Sequence, residues 1–292
     1  MKHNYLNNRD ILKEIHKSKT TYCSFLTPED GFYDIILPGI DKINKKNTVE
    51  GRKLRAERLG RAAYDAAQAA TTEKLRLDDF SIKPSKVAVT DVVFRIMTWE
   101  HIPVDLGKKK KAADEDSEVL TEYDDEGLVI IAPTKYTKVN FPPFKHYRLN
   151  EEDKPYCVGY SHWRGELETG EFCKEHGTMT KKLAHMFMKL CERYATRSNW
   201  RGYTYNDEMR SQALLQLSQI GLQFDESKSQ NPFAYYTAAI TNSFTRVLNI
   251  EKRNQNLRDD ILEMNGLTPS YTRQGQGSWG GGGAPSGDFV DE

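Results

Sequence analysis

The sequence contains no run of about 18 consecutive apolar residues, which excludes a membrane-spanning helix by length. Its opening, MKHNYLNNRDILKEIHKSK, lacks the apolar core of a secretory signal, so export is not expected. Cysteine is scarce: the four residues Cys23, Cys157, Cys173 and Cys191 are scattered along the chain. That argues against a disulfide frame and for reduced thiols in a cytosolic compartment. Net charge is also lacking, with 42 Lys and Arg against 42 Asp and Glu, which argues against coating nucleic acid by charge alone. Enzyme signatures are missing too: there is no G-x-x-x-x-G-K-[ST], G-x-S-x-G, H-E-x-x-H or convincing G-x-G-x-x-G. The expectation is a non-enzyme without a cofactor. The acidic pairs Asp78-Asp79, Asp124-Asp125 and Asp259-Asp260 read as solvated caps or loop charges, not catalytic dyads.

What is present is a polar chain, with mean hydropathy −0.71 and 29% charged residues, long enough for two domains. Its charge is unevenly placed. Lys108, Lys109, Lys110 and Lys111 are followed by eight acids and no bases over residues 112–127. Residues 180–260 carry 12 Lys and Arg against 8 Asp and Glu. Weakly basic helices in a neutral chain suit a factor that needs a partner to hold DNA.

The pattern divides into four pieces and predicts a mainly α fold with an α+β region inserted in it. Residues 1–21 hold a short helix behind an Asn7-Asn8 N-cap, with Ile11, Leu12 and Ile15 on one face. Within 22–179, an Ala-rich helix is expected over 52–71, a β-branched strand over 87–99, a disordered charged loop near 108–127 and a strand over 128–132. A Gly/Pro-punctuated stretch from Pro142-Pro143 leads on to residue 179. Residues 180–265 are helical. Leu183, Met186, Phe187, Leu190, Cys191 and Tyr194 recur at three- and four-residue spacing. A second helix over 207–222 turns Met209, Ala213, Leu217 and Ile220 inward. A third starts at Pro232 behind Asn231 and runs to about 262, with Tyr236, Ile240, Phe244 and Val247 on one stripe. Residues 266–292 read as a flexible tail, since seven of the last 18 are glycine. The tail ends Asp288-Phe289-Val290-Asp291-Glu292, an apolar pair between acids, shaped to dock into a hydrophobic groove.

Two constellations carry possible chemistry. Cys157, His162, Cys173 and His176 have the spacing C-x4-H-x10-C-x2-H, compatible with a small zinc knuckle. The plainer reading has the cysteines as small buried hydrophobes and His162 as a packed aromatic, so no metal is expected. The helix from Pro232 opens Phe233-Ala234-Tyr235-Tyr236. An aromatic ring there can receive an unstacked base, worth ~1–3 kcal/mol. Asn242, Thr245 and Arg246 follow on an adjoining surface, where Asn can pair with adenine and Arg can hold phosphate or guanine. Lys252 and Arg253 extend the basic surface. Tyr236, Ile240 and Phe244 read as core, whereas Tyr235, Asn242 and Arg246 read as DNA-facing. The helix before it turns Glu208, Arg210, Ser211, Gln212, Gln216 and Gln219 outward; by itself that is a solvated face.

These helices, in this order, resemble the core-binding and promoter-melting domain of bacterial sigma factors, the sigma-70-type family. The resemblance covers residues 183–258: the Glu192-Arg193-Tyr194-x-x-Arg197 helix, an acid-led helix, the Phe224-Asp225 turn, and a helix with Tyr235 and Thr245-Arg246. Arg201-Gly202-Tyr203-Thr204, Phe224-Asp225-Glu226-Ser227-Lys228, Asn231-Pro232-Phe233-Ala234-Tyr235 and Asn4-Tyr5-Leu6-Asn7-Asn8 are similar, more narrowly, to the late-transcription sigma factors of T-even-like phages. Residues 22–179 look like the added region of the cyanobacterial myophage version.

The resemblance implies a sigma region-2-like helical bundle and a role in the host-cell cytoplasm. It implies that Glu208, Ser211 and Gln212 meet the β′ clamp helices of host RNA polymerase core. The family often has an acid where this chain has Gln212. It implies that Tyr235 stacks on the flipped adenine, that Asn242, Thr245 and Arg246 hold the upstream edge of a −10-type promoter element, and that Asp288, Phe289 and Val290 bind the phage sliding clamp. Ala238-Ala239 stand where housekeeping members place a Trp pair, which implies a weak melter suited to easily unstacked T·A-rich DNA. No second helix-turn-helix follows residue 265, so activation would come through the tethered clamp, with room for a separate coactivator. Two alternatives remain: a clamp-tethered DNA-binding adaptor that never contacts polymerase, and a zinc-binding module or enzyme centred on Cys157–His176.

Overall fold

A computed structural model describes residues 7–71, 74–104 and 136–277. The chain is mainly helical with one mixed sheet, and it divides into two compact units. The first joins Met1–Phe187 with Ser218–Tyr235; the second joins Met188–Leu217 with Tyr236–Glu292. These limits differ from the four sequence pieces. The N-terminal helix and the α+β region form one body with the turn before the third predicted helix.

In the first unit, α1 spans Asn8–Thr20, and the Asn7 side chain accepts the Arg9 amide at its N-terminus. Ile11 and Ile15 are buried as the spacing predicts, and Leu12 is half-buried. The strands are β1 (Cys23–Phe25), β2 (Ile35–Leu37), β3 (Phe94–Met97), β4 (Phe144–Leu149) and β5 (Pro155–Ser161), in the order β1-β5-β4-β3-β2. All pairs are antiparallel except β2 with β3. That parallel pair needs a crossover, and α2 (Lys45–Ala70) lies within it. Helix α2 starts earlier than the predicted residue 52 because Asn44 caps it, its side chain accepting the Asn47 amide. Gly51 lets the helix approach closely: a Cβ there would stand 2.6 Å from Val92 Cγ1. Behind it, Leu37, Val92, Phe94, Ile96, Tyr147 and Leu149 form a core cluster.

The strand expected over 87–99 is real only over Phe94–Met97. A 3-10 turn at Val89–Asp91 breaks its first half, although Val87, Val92 and Val93 are buried. The strands β4 and β5 occupy the Gly/Pro-punctuated stretch that follows Pro142-Pro143. A small ribbon, β6 (Trp163–Arg164) with β7 (Glu171–Phe172), follows. The expected charged loop near 108–127 and strand over 128–132 lie outside the described residues.

The second unit is helical. Helices α3 (Lys181–Ala195), α4 (Asn206–Ile220) and α5 (Pro232–Met264) begin in or enter it. Leu190, Cys191, Tyr194, Met209, Ala213, Leu217, Tyr236, Ile240, Phe244 and Val247 are all buried, matching the predicted stripes; Ile220 is only half-buried. The Phe244 ring meets Tyr194 and Trp200 edge-on, with centroids 5.2 and 5.3 Å apart. Asn206 ties the loop down by donating to the carbonyls of Ala195 and Trp200.

The tail does not begin at residue 266. Helix α6 (Tyr271–Gly277) folds back on α5: Asp259 accepts the Ser270 amide and hydroxyl at 2.8 and 2.7 Å, and Arg273 pairs with Asp260 and Glu263. Asp259 is therefore buried rather than solvated, and the two Ser270 hydrogen bonds hold its carboxyl below the usual range. Among the described residues, no helix is long and apolar enough to cross a membrane.

Candidate nucleic-acid and polymerase interface

The start of α5 is doubly capped. Asn231 accepts the Ala234 amide at 3.1 Å, and Asn8, from α1, accepts the Phe233 amide at 3.0 Å. Two of the first-turn N–H groups that a helix leaves unpaired are thereby satisfied. Tyr235 follows in that turn. It is half-buried, and its ring meets Phe224 edge-on at 5.6 Å and 62°. Partial burial raises the pKa of its hydroxyl, so the side chain stays a neutral, largely apolar plate at physiological pH.

Further along α5, in the second unit, the structure brings Asn242, Thr245, Arg246, Lys252 and Arg253 onto exposed surface. Asn242, Arg246 and Arg253 recur at four- and seven-residue steps, so they form one stripe. The opposite side of the helix is closed by Tyr236, Ile240, Phe244 and Val247. Among the described residues, Arg246, Lys252 and Arg253 make no ion pair. In the second unit Ala238 is exposed and Ala239 half-buried.

On α4, Glu208 and Ser211 are exposed and Gln212 half-buried, while Met209, Ala213 and Leu217 hold the inner side. Leu215 was missed by the sequence reading. It lies four residues beyond Ser211 and seven beyond Glu208 and is 53% exposed, an apolar centre for an otherwise polar face. Its periodicity with Glu208 and Ser211 was the available signal.

The four cysteine and histidine candidates do not assemble into a ligand set. Cys157 lies on β5 and packs against the sheet core cluster. His162 is fully buried and stacks on Phe141 at 4.1 Å. Cys173 donates its amide to the His162 carbonyl, and His176 lies against the Cys173 carbonyl and the Tyr22 ring. Among the described residues, no three or more of His, Cys, Asp and Glu are grouped so as to hold a metal ion. Asp288, Phe289 and Val290 lie outside the described residues.

A further constellation was not foreseen. In the first unit, Arg95 is fully buried between the rings of Tyr33 and Phe144, 3.9 and 3.7 Å from their centroids. It donates to His146 Nε2 at 3.0 Å and to Glu226 Oε2 at 3.3 Å. Lys19 Nζ donates to the same Glu226 oxygen at 2.9 Å and to the Phe224 carbonyl at 2.7 Å. One carboxylate thus serves two buried cations. Desolvation lowers the Lys19 pKa, opposed by Glu226, and drives His16 and His146 well below the ordinary histidine range.

No protein-family model, curated protein or solved structure matches the chain.

Proposed function

We propose that the protein is a sigma-type promoter-recognition factor that directs host RNA polymerase core to A·T-rich late promoters of a phage, without being an enzyme itself. In this reading α4 meets the polymerase through Glu208, Ser211 and Gln212, with Leu215 as the apolar centre of the contact. Tyr235 receives an unstacked base, and Asn242, Thr245 and Arg246 hold the neighbouring duplex edge, with Lys252 and Arg253 adding phosphate attraction. The tail peptide at Asp288, Phe289 and Val290 recruits the sliding clamp, whose tether raises effective concentration at the promoter. The protein works in the host cytoplasm, together with any separate coactivator.

The observation that carries this reading is the two-sided character of α5. One side closes a core, while the other presents Asn242, Thr245, Arg246 and Arg253 to solvent without ion-pair partners among the described residues. Opposite charges three or four residues apart would stabilise a solvated helix by pairing; this basic stripe has no such pair among the described residues and is open to an external anion. The test is transcription by core polymerase plus this protein on a TATA-type late promoter, with and without sliding clamp. Specific initiation is expected, and a failure in both conditions would remove the proposal.

A further inference from the structure

Within the first unit, α1 and the sheet touch the segment that leads into α5 at three points. Lys19, near the end of α1, donates to the Phe224 carbonyl and the Glu226 carboxylate. Arg95, on β3 of the sheet, holds the same Glu226 carboxylate. Asn8, the first residue of α1, accepts the Phe233 amide. Between these points stands the Phe224–Tyr235 ring pair. The backbone of residue 224 is therefore fixed from below by a buried ammonium. The helical turn carrying Tyr235 is fixed from the other end of the same helix α1, 225 residues away in sequence.

We propose that α1 and the sheet act as a jig for Tyr235, with Asn8, Lys19 and Phe224 as positioning residues for base capture. This rests on the reading of Tyr235 as the base-stacking residue, and it assigns a purpose to the region that precedes the helical segment. A base plate must be held at a fixed tilt before the base arrives. A ring free to change rotamer would lose ordering entropy at the moment of capture, and that loss would subtract from stacking. Phe224 limits the ring from one side. Lys19 limits Phe224 through its backbone carbonyl, which a side-chain change at residue 224 does not remove. Asn8 closes the turn from which Tyr235 projects.

The experiment uses the full chain with 3-fluorotyrosine at position 235, comparing the parent protein with Asn8→Ala, Lys19→Met and Phe224→Leu. Fluorine NMR of the free protein reads the ring's environment without polymerase. Promoter opening is read by permanganate reactivity with core polymerase, and core binding is read separately. The expected result is a shifted or broadened fluorine signal, opening reduced roughly tenfold, and core affinity unchanged. In a Tyr235→Ala background, Asn8→Ala and Phe224→Leu should produce no further loss of opening, because residues acting through one group are not additive. An unchanged fluorine signal in Asn8→Ala and Phe224→Leu would overturn the proposal. So would an equal further loss in the Tyr235→Ala background, which would mean a general structural effect. If Lys19→Met fails to fold, Asn8→Ala and Phe224→Leu decide the matter, since neither disturbs the buried charges. Should the parent protein open no promoter at all, the sigma reading falls and base capture with it, while the fluorine signal alone still decides whether α1 positions the ring.

Discussion

The hydroxyl of Tyr194 on α3 lies 2.7 Å from Thr241 Oγ1 on α5, and Thr241 in turn donates to the Thr237 carbonyl. This is a polar stitch on the edge of an aromatic cluster. Tyr194→Phe keeps the ring against Phe244 and removes only the stitch. Because Thr241 retains its own backbone acceptor, the loss should be about 1 kcal/mol, read as a lower urea midpoint with unchanged slope.

The shared carboxylate gives an ordering of variants. Lys19→Met leaves Arg95 and Glu226 as a matched pair. Glu226→Gln leaves two buried cations with no anion. Glu226→Gln should therefore be the more damaging, at about 3–5 kcal/mol, the range for an uncompensated buried charge. Equilibrium denaturation of both variants checks this, and equal costs would mean that Arg95 and Lys19 do not depend on the same group.

Acid should weaken the first unit in a defined window. Burial lowers the pKa of His101 to about 4 and of His162 to about 3, from an ordinary value of 6.5. An unfolded chain takes up these protons as the pH falls below 6.5, and the folded chain does not. The stabilisation is thus complete above pH 6.5 and is lost progressively toward pH 4 and then 3. Each histidine contributes a slope of at most ~1.4 kcal/mol per pH unit. His162→Asn suits the local backbone, since His162 has φ of 56° and Asn tolerates that region. It should flatten the dependence of the urea midpoint on pH.

The two surfaces assigned to α4 and α5 should separate in assay. Glu208→Lys should weaken binding to polymerase core. Arg246→Ala should leave core binding intact and weaken promoter capture by ~1–3 kcal/mol if the guanidinium holds a base edge. A loss that is uniform across promoter sequences and eased at low salt would instead mark a phosphate contact.

The return of α6 is testable without a partner. Asp259→Ala removes the acceptor for the Ser270 amide and hydroxyl. Hydrogen exchange at residues 270–274 should accelerate, while the core amides of α5 near Phe244 keep their protection.

The helices were legible because their apolar residues recur at helical spacing and their ends carry ordinary caps. Asn7, Asn231 and Pro232 marked the starts, and Leu183 to Val247 marked the inner sides. Strand β4 was illegible because its buried positions do not alternate and one of them is polar: it reads Phe-Lys-His-Tyr-Arg-Leu, with Phe144, Tyr147 and Leu149 buried beside His146, which is partnered by Arg95 of β3. Alternation of hydrophobicity, the usual mark of a strand, fails where the partner of a buried polar group is remote. Helix α6 is hidden by its Gln and Gly content; it is tied to α5 by the buried Asp259, which accepts from Ser270, and by exposed pairs of Arg273 with Asp260 and Glu263. The Tyr235 surroundings were half legible. Its place in the helix could be read, but the support from Asn8 and Lys19 could not, because nothing local distinguishes either residue from ordinary surface polar groups.

The dependence of Lys19 and Arg95 on Glu226 has a consequence for biosynthesis. As the chain leaves the ribosome, the residues that build the sheet emerge well before Glu226, the counter-ion that Lys19 and Arg95 share, does. Until residue 226 appears, closing that body would strand two positive charges in its interior. Completion must therefore wait for the later segment, and a nascent or truncated chain ending before Glu226 should linger in an open, protease-sensitive form.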